Sequence, residues 1–145
     1  MNLMVELNIV EKVIALQAVE LLKNLTPDQY ARIASIAKEQ LYLPGKAILE
    51  PGRPLEALYV IVEGSVEIKR NGQTLHTAGQ YDVLGSWALF DEDPSPVTAT
   101  AVEDTRVLRI SRDDFFDLLS DNMEIASSIF STLVKRFRKL MEQPA

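Results

Sequence analysis

Cysteine is absent from this chain, histidine and tryptophan occur once each (His76 and Trp87), and no run of 18 apolar residues exists. Without thiols there is neither a disulfide framework nor thiolate chemistry. One imidazole leaves only carboxylates as further metal ligands, too few strong donors for a transition-metal site, and it gives no basis for a Ser-His-Asp set. His76 itself reads as a surface or core residue of a hairpin strand. The lack of a long apolar segment or a charged-then-apolar leader excludes membrane insertion and predicts a soluble, cytoplasmic protein. Positive charge is scarce as well. Fifteen Lys and Arg stand against 21 Asp and Glu, a formal net charge of −6 with a pI near 4.8. That balance disfavours nucleic acid, whose phosphate backbone needs concentrated cations.

What is present suffices for one folded domain over residues 1–145. The chain is 47% hydrophobic, and at this length roughly 70% of the unfolded surface can be buried. Residues 5 to 22 carry closely spaced apolar side chains and no Gly or Pro, which predicts a helix broken once. Thr26, Pro27 and Gln29 form a capping box with proline at the first helical position, and Leu25 with Tyr30 supplies a hydrophobic staple. That second helix is expected to run to about Lys38.

From Leu41 to Ile110 the pattern changes to short apolar runs between turn residues, as expected of antiparallel strands closing on themselves. The corners fall at Pro44-Gly45, Pro51-Gly52, Glu63-Gly64, Asn71-Gly72 and Ala78-Gly79. Asn71-Gly72 is the strongest hairpin signal, because a type I′ turn requires positive φ at both central residues. Leu58 to Val62 reads as a central strand. Residues 105–110 alternate, placing Val107 and Arg109 on one face and Arg106, Leu108 and Ile110 on the other.

Ser111 then caps a helix containing Phe115, Phe116, Leu118 and Leu119. A longer helix follows from Glu124 to Met141, with Ala126, Phe130, Leu133, Phe137 and Leu140 spaced by four and three, and Ile125, Ile129, Val134 and Met141 widening the stripe. So wide a face could cover the barrel and also meet a second copy or another protein. Lys135, Arg136, Arg138 and Lys139 in its last turns complement the helix dipole. The fold class is therefore α+β: N-terminal helices over about 5–38, an antiparallel β barrel or jelly roll over about 41–110, and two C-terminal helices over about 112–141.

This order of elements resembles the cyclic-nucleotide-binding domain family, which includes the bacterial catabolite activator protein and the regulatory subunits of cyclic-AMP-dependent kinase. Ile48-Leu-Glu-Pro-Gly52, Leu58-Tyr-Val-Ile61 and Gly64 match the strand-turn-strand that precedes the ligand site in that family. Arg53 and Leu55 depart from its usual small residues. The resemblance implies a jelly roll of the double-stranded β-helix type. It also implies a phosphate-binding cassette at Leu84, Gly85, Ser86, Trp87, Ala88 and Leu89, then a loop from Phe90 to Pro96, then Val97, Thr98 and Ala99.

In that alignment Ser86 stands where the family carries Glu and Val97 where it carries Arg. The family Arg pairs with the cyclic phosphate and the Glu accepts from the ribose 2′-hydroxyl. Loss of one partner of a desolvated charge pair costs roughly 2–5 kcal/mol, and loss of a hydrogen bond to a charged group roughly 1.5–3 kcal/mol. Without full additivity this amounts to about two to five decades of affinity. No Lys or Arg lies between Arg70 and Arg106, whereas Asp82, Asp91, Glu92, Asp93, Glu103 and Asp104 do. Cyclic nucleotide is thus possible but disfavoured as a ligand, and no other cofactor is expected.

The resemblance implies a non-catalytic regulatory module. Either its pocket takes a non-standard small molecule and signals through the final helix, with Phe115, Phe116, Ile129 and Phe130 carrying the coupling, or the pocket is vestigial and the helices bind a protein partner. Trp87 either caps a ligand, fills the vacant pocket or packs on neighbouring surface. An enzyme on a cupin-like barrel is disfavoured by the single histidine. Regulators of the catabolite-activator type continue into a helix-turn-helix, whereas four residues follow Met141 here. If these 145 residues are the whole product, they are expected not to read DNA in that manner; as a piece of a longer chain they carry no such expectation.

Overall fold

Helices begin where a side chain can satisfy a free amide. In the computed structural model, which describes residues 6–86, 89–90 and 94–142, Asn8 accepts from the amide of Glu11 at 2.8 Å while the Glu11 carboxylate accepts from the amide of Asn8 at 3.2 Å. This opens α1 (Ile9–Leu16). The predicted box at Thr26 and Gln29 is formed in both directions, at 3.2 and 3.0 Å, with Pro27 as the first residue of α2 (Pro27–Ile36). The helical stretch expected over 5–22 is indeed interrupted: α1 gives way to a 3₁₀ turn at Glu20–Leu22.

α2 stops at Ile36 rather than Lys38, because Ala37 is already extended and Lys38 pairs with Arg109. The barrel accordingly starts at Lys38, three residues before the expected Leu41. Its strands are β1 (Lys38–Tyr42), β2 (Ala47–Leu49), β3 (Ala57–Glu63), β4 (Val66–Arg70), β5 (Gln73–Ala78), β6 (Val83–Leu84), β7 (Thr98–Ala101) and β8 (Thr105–Ser111). They form two antiparallel four-stranded sheets, ordered β1-β8-β3-β6 and β2-β7-β4-β5. Helices α3 (Arg112–Asp121) and α4 (Met123–Glu142) follow, the first capped by Ser111, which accepts from the amide of Asp114 at 3.1 Å.

The corners fall where the sequence puts them. Asn71 and Gly72 both have positive φ, 52° and 78°, the condition for the I′ hairpin joining β4 to β5. At the 78–82 corner it is Tyr81, φ 67°, and not Gly79 that takes the left-handed conformation. Gly64 has φ 111° beside a buried Thr105 whose hydroxyl donates to the carbonyls of Ser65 and Glu103.

Two cores result. Ile48, Leu49, Ile61, Val66, Ile68, Leu84, Ala99 and Val107 fill the space between the sheets, with Tyr42, Leu55, Tyr59 and Val97 against them. Leu58, Val60, Leu108 and Ile110 point the other way, into a helical layer with Leu16, Leu22, Ile33, Phe115, Ile125 and Ile129. β3 is apolar at nearly every position because both of its faces are covered, whereas β8 sets Val107, Leu108 and Ile110 among Thr105, Arg106, Arg109 and Ser111. The outward-facing Arg106 is held by Glu39 at 3.0 Å and Glu63 at 3.6 Å, and Glu39 also accepts from the amide of Leu7.

The stripe expected along the final helix divides. Ile125 and Ile129 are buried and Leu133 packs against the same layer. Phe130 (71% exposed), Val134, Phe137 (63%), Leu140 and Met141 face solvent: Phe130 lies on the outer side of the helix between buried Ile129 and packed Leu133, and beyond Leu133 every described residue of α4 is exposed. Among the described residues no helix is long and apolar enough to cross a membrane.

Candidate ligand site

The segment singled out by sequence begins at the end of β6. Leu84 pairs with Tyr59 and is buried between the sheets. Gly85 follows with φ 70°, a conformation that admits a side chain only under strain. Ser86 is exposed and lines a cavity of about 220 Å³ with Val19, Glu20, Leu21 and Arg136. Leu89 is fully buried, in the helical layer rather than in the barrel. Trp87, Ala88 and Asp91 to Asp93 lie outside the described residues.

The returning half is organised by Ser95, which is buried. Its hydroxyl donates to the carbonyl of Val97 at 2.7 Å and accepts from the amide of Val97 at 3.2 Å. Val97 packs against the barrel core, Thr98 opens β7 opposite Lys69, and Ala99 is buried between Leu49 and Ile68. The segment 94–97 also leans on the β2–β3 loop: the amide of Ser95 donates to the carbonyl of Arg53 and the amide of Gly52 to the carbonyl of Ser95. The structure therefore gathers Leu84, Val97 and Ala99 on the barrel interior, while Ser86 and Leu89 turn toward the helices.

The turn is coupled to the C-terminal helices through aromatic rings. Phe90 meets Phe115 edge-on at 5.9 Å and Phe116 at 6.3 Å, and the guanidinium of Arg112 lies 5.5 Å over the Phe116 ring. Ile129 is buried beside Phe115 in the same layer, whereas Phe130 points outward and does not share this contact. The 3₁₀ turn completes the surround. Lys23, bonded to Glu20 at 3.0 Å, holds that carboxyl below its ordinary range, with smaller help from Arg136 and Lys139.

Two cations near this end of the barrel were not assigned to it from sequence. Arg136 reaches the cavity at Ser86 from α4. Arg109, paired with Tyr59, which is in turn paired with Leu84, shares their face because directly opposed residues project to the same side of a sheet. The alternation from Val107 to Arg109 was the signal for its direction; nothing in the sequence gave its neighbours. Tyr42 adjoins both. Its hydroxyl donates to Gln40 at 2.9 Å, and burial, then Tyr59, push its phenol up to about 12 against the opposing pull of Arg109. Among the described residues no cluster of His, Cys, Asp or Glu has the geometry to hold a metal ion.

Comparison with known proteins decides the kinship. Residues 39–122 match the family described as the cyclic nucleotide-binding domain. The chain belongs to that family. It is 32% identical to the cyclic AMP receptor protein of Thermus thermophilus over 82% of this chain and 57% of that protein. Against the cAMP-dependent protein kinase regulatory subunit of Aspergillus fumigatus it is 33% identical over 72% of this chain and 26% of the relative. The N-terminal domain of a transcriptional regulator from Streptomyces coelicolor A3(2) superposes with a TM-score of 0.83 at 25% identity, covering 90% of this chain and 97% of that one. This chain spans about half the length of the first relatives it matches. As a cyclic nucleotide-binding domain it shares the jelly roll and the helices on either side of it.

Proposed function

We propose that this domain is a non-catalytic regulatory module in which ordinary binding of cyclic AMP or cyclic GMP is weak or lost, and whose output runs through α4. The observation that carries the proposal is the pair Ser86 and Val97. One is an exposed hydroxyl facing the helices and the other an aliphatic side chain on the barrel core, so neither supplies the charge that a cyclic phosphate requires. The contacts of Phe90 with Phe115 and Phe116 support transmission from the turn to α3. The uncovered apolar face of α4 supports docking of a second copy of the domain or of a protein partner. The net charge of −6 speaks against nucleic-acid contact by these residues.

The test is calorimetric and thermal-shift titration of the native domain and of a Ser86→Glu, Val97→Arg double variant with cyclic AMP and cyclic GMP. Saturating ligand stabilises a binding-competent fold. The expected outcome is a response in the double variant alone. A micromolar response by the native domain overturns the proposal.

A further inference from the structure

A groove of about 310 Å³ opens between the β2–β3 loop and β8, lined among others by Leu49, Leu55, Tyr59 and Arg109. A second, of about 410 Å³, continues along Ser111 and Asp113. Arg109 lines both. Either volume alone falls in the range of small-molecule sites.

The charges in this groove are unequally placed. Glu50, Arg53 and Glu56 are exposed at the rim, and Glu50 is held by Arg53 at 3.0 Å. Arg109 and Tyr59 are partly buried. The Arg109 guanidinium makes no ion pair or hydrogen bond among the described residues. Arg106, on the opposite face of the same strand, has Glu39 and Glu63. A guanidinium cannot shed its proton, and a cation drawn out of water without a counter-charge is costly. The adjacent Tyr42 phenol does not supply one, since burial pushes it up to about 12. Exposed rim carboxylates are screened by salt far more than a partly buried cation is.

We propose that Arg109 and Tyr59 form an anion-binding site at the cassette end of the barrel, one that takes a small organic anion through a carboxylate or phosphate head. Arg109 pairs with the head in a two-pronged contact, the Tyr59 hydroxyl donates to it, and Ile48, Leu49 and Leu55 meet an apolar body. The site names a ligand class for the regulatory module proposed above and rests on that reading for its signalling role, but not for binding itself.

The test is calorimetry and thermal shift on the full 145-residue chain with succinate, glycerol 3-phosphate, inorganic phosphate and cyclic AMP as probes, repeated with Arg109→Gln, Arg109→Lys and Tyr59→Phe. Circular dichroism checks that each variant folds. The expected result is binding of at least one probe below about 1 mM, weakened at least tenfold by Arg109→Gln and less by Arg109→Lys and Tyr59→Phe. Succinate alone identifies an organic acid site, and glycerol 3-phosphate or phosphate alone identifies a phosphate site. Failure of all anions at 10 mM, or equal affinity in Arg109→Gln, overturns the anion site. Micromolar cyclic AMP binding that survives Arg109→Gln instead overturns the reading of the cassette as deficient, so the two failures are separable.

Discussion

Phe90 stands edge-on to Phe115, with ring centroids 5.9 Å apart, and so joins the turn after β6 to the first C-terminal helix. Phe115 is the largest of the fully buried side chains among the described residues. Its replacement by alanine removes an aromatic ring from the layer shared by α2, β8 and α4, and such truncations cost about 3–5 kcal/mol. Phe90→Ala, at a partly exposed position, is expected to cost about 1–2 kcal/mol, mostly the edge-to-face pair and some area. Urea unfolding of both variants checks the order; equal losses would show that the ring pair, not burial, dominates.

Gly64 and Gly72 both have positive φ, yet their substitution by alanine should differ. A Cβ at Gly64 lies 2.5 Å from Thr105 Oγ1 and 2.7 Å from the carbonyl oxygen of Asp104, whereas at Gly72 nothing lies within 4 Å. Gly72→Ala meets only the left-handed backbone penalty, roughly 1–2 kcal/mol. Gly64→Ala adds displacement of the β8 backbone and is expected to lose roughly 2–5 kcal/mol. Thermal denaturation of the pair measures the difference directly.

Alkaline stability follows from Tyr42. Its phenol is pushed up to about 12 from an ordinary value of 10.0, so the folded state favours the neutral form. The resulting contribution is complete below pH 10 and is lost as pH rises through 12. Two pH units correspond to about 2.7 kcal/mol, and solvent reaching this partly exposed ring reduces that to roughly 1 kcal/mol. Denaturant titrations at pH 9 and pH 12 are expected to show a smaller alkaline loss in Tyr42→Phe than in the native chain.

Self-association through α4 is measurable by sedimentation. Phe130, Phe137 and Leu140 are exposed apolar side chains on one helix, and dimerisation buries them. The native domain is expected to be dimeric at micromolar concentration, with Phe137→Glu shifting it to monomer and leaving the melting of the barrel within about 0.5 kcal/mol, as for an exposed site. A monomeric native domain at 100 μM removes the homodimer and leaves a different protein as the occupant of that face.

Much of this architecture is written in local chemistry. Thr26 with Gln29, Asn71 with Gly72, and Ser111 announce a helix start, a hairpin and a second helix start, because each acts within a few residues of itself. Boundaries decided by distant pairing were less visible. Lys38 has a helical context on one side, and only its partnership with Arg109 on β8 makes it a strand. The exposure of Phe137 and Leu140 was hidden for the same reason, since a 20-residue amphipathic helix does not declare where its support ends. At the site, it was the family resemblance of Leu84 to Leu89 and Val97 to Ala99 that pointed to a turn and a return strand. The approach of Arg109 and Arg136 depended on the β8 register and on the path of α4, neither of which has a local signal.

The helical layer has a temporal consequence. Leu16, Leu22 and Ile33 share their burial with Phe115, Ile125 and Ile129, residues that leave the ribosome about a hundred positions later. At usual elongation rates that interval is roughly 5–20 s, and β1 waits about two-thirds as long for β8, with which it pairs from Lys38↔Arg109 to Tyr42↔Thr105. During synthesis the first two helices therefore keep their apolar sides uncovered until the second half arrives to close over them.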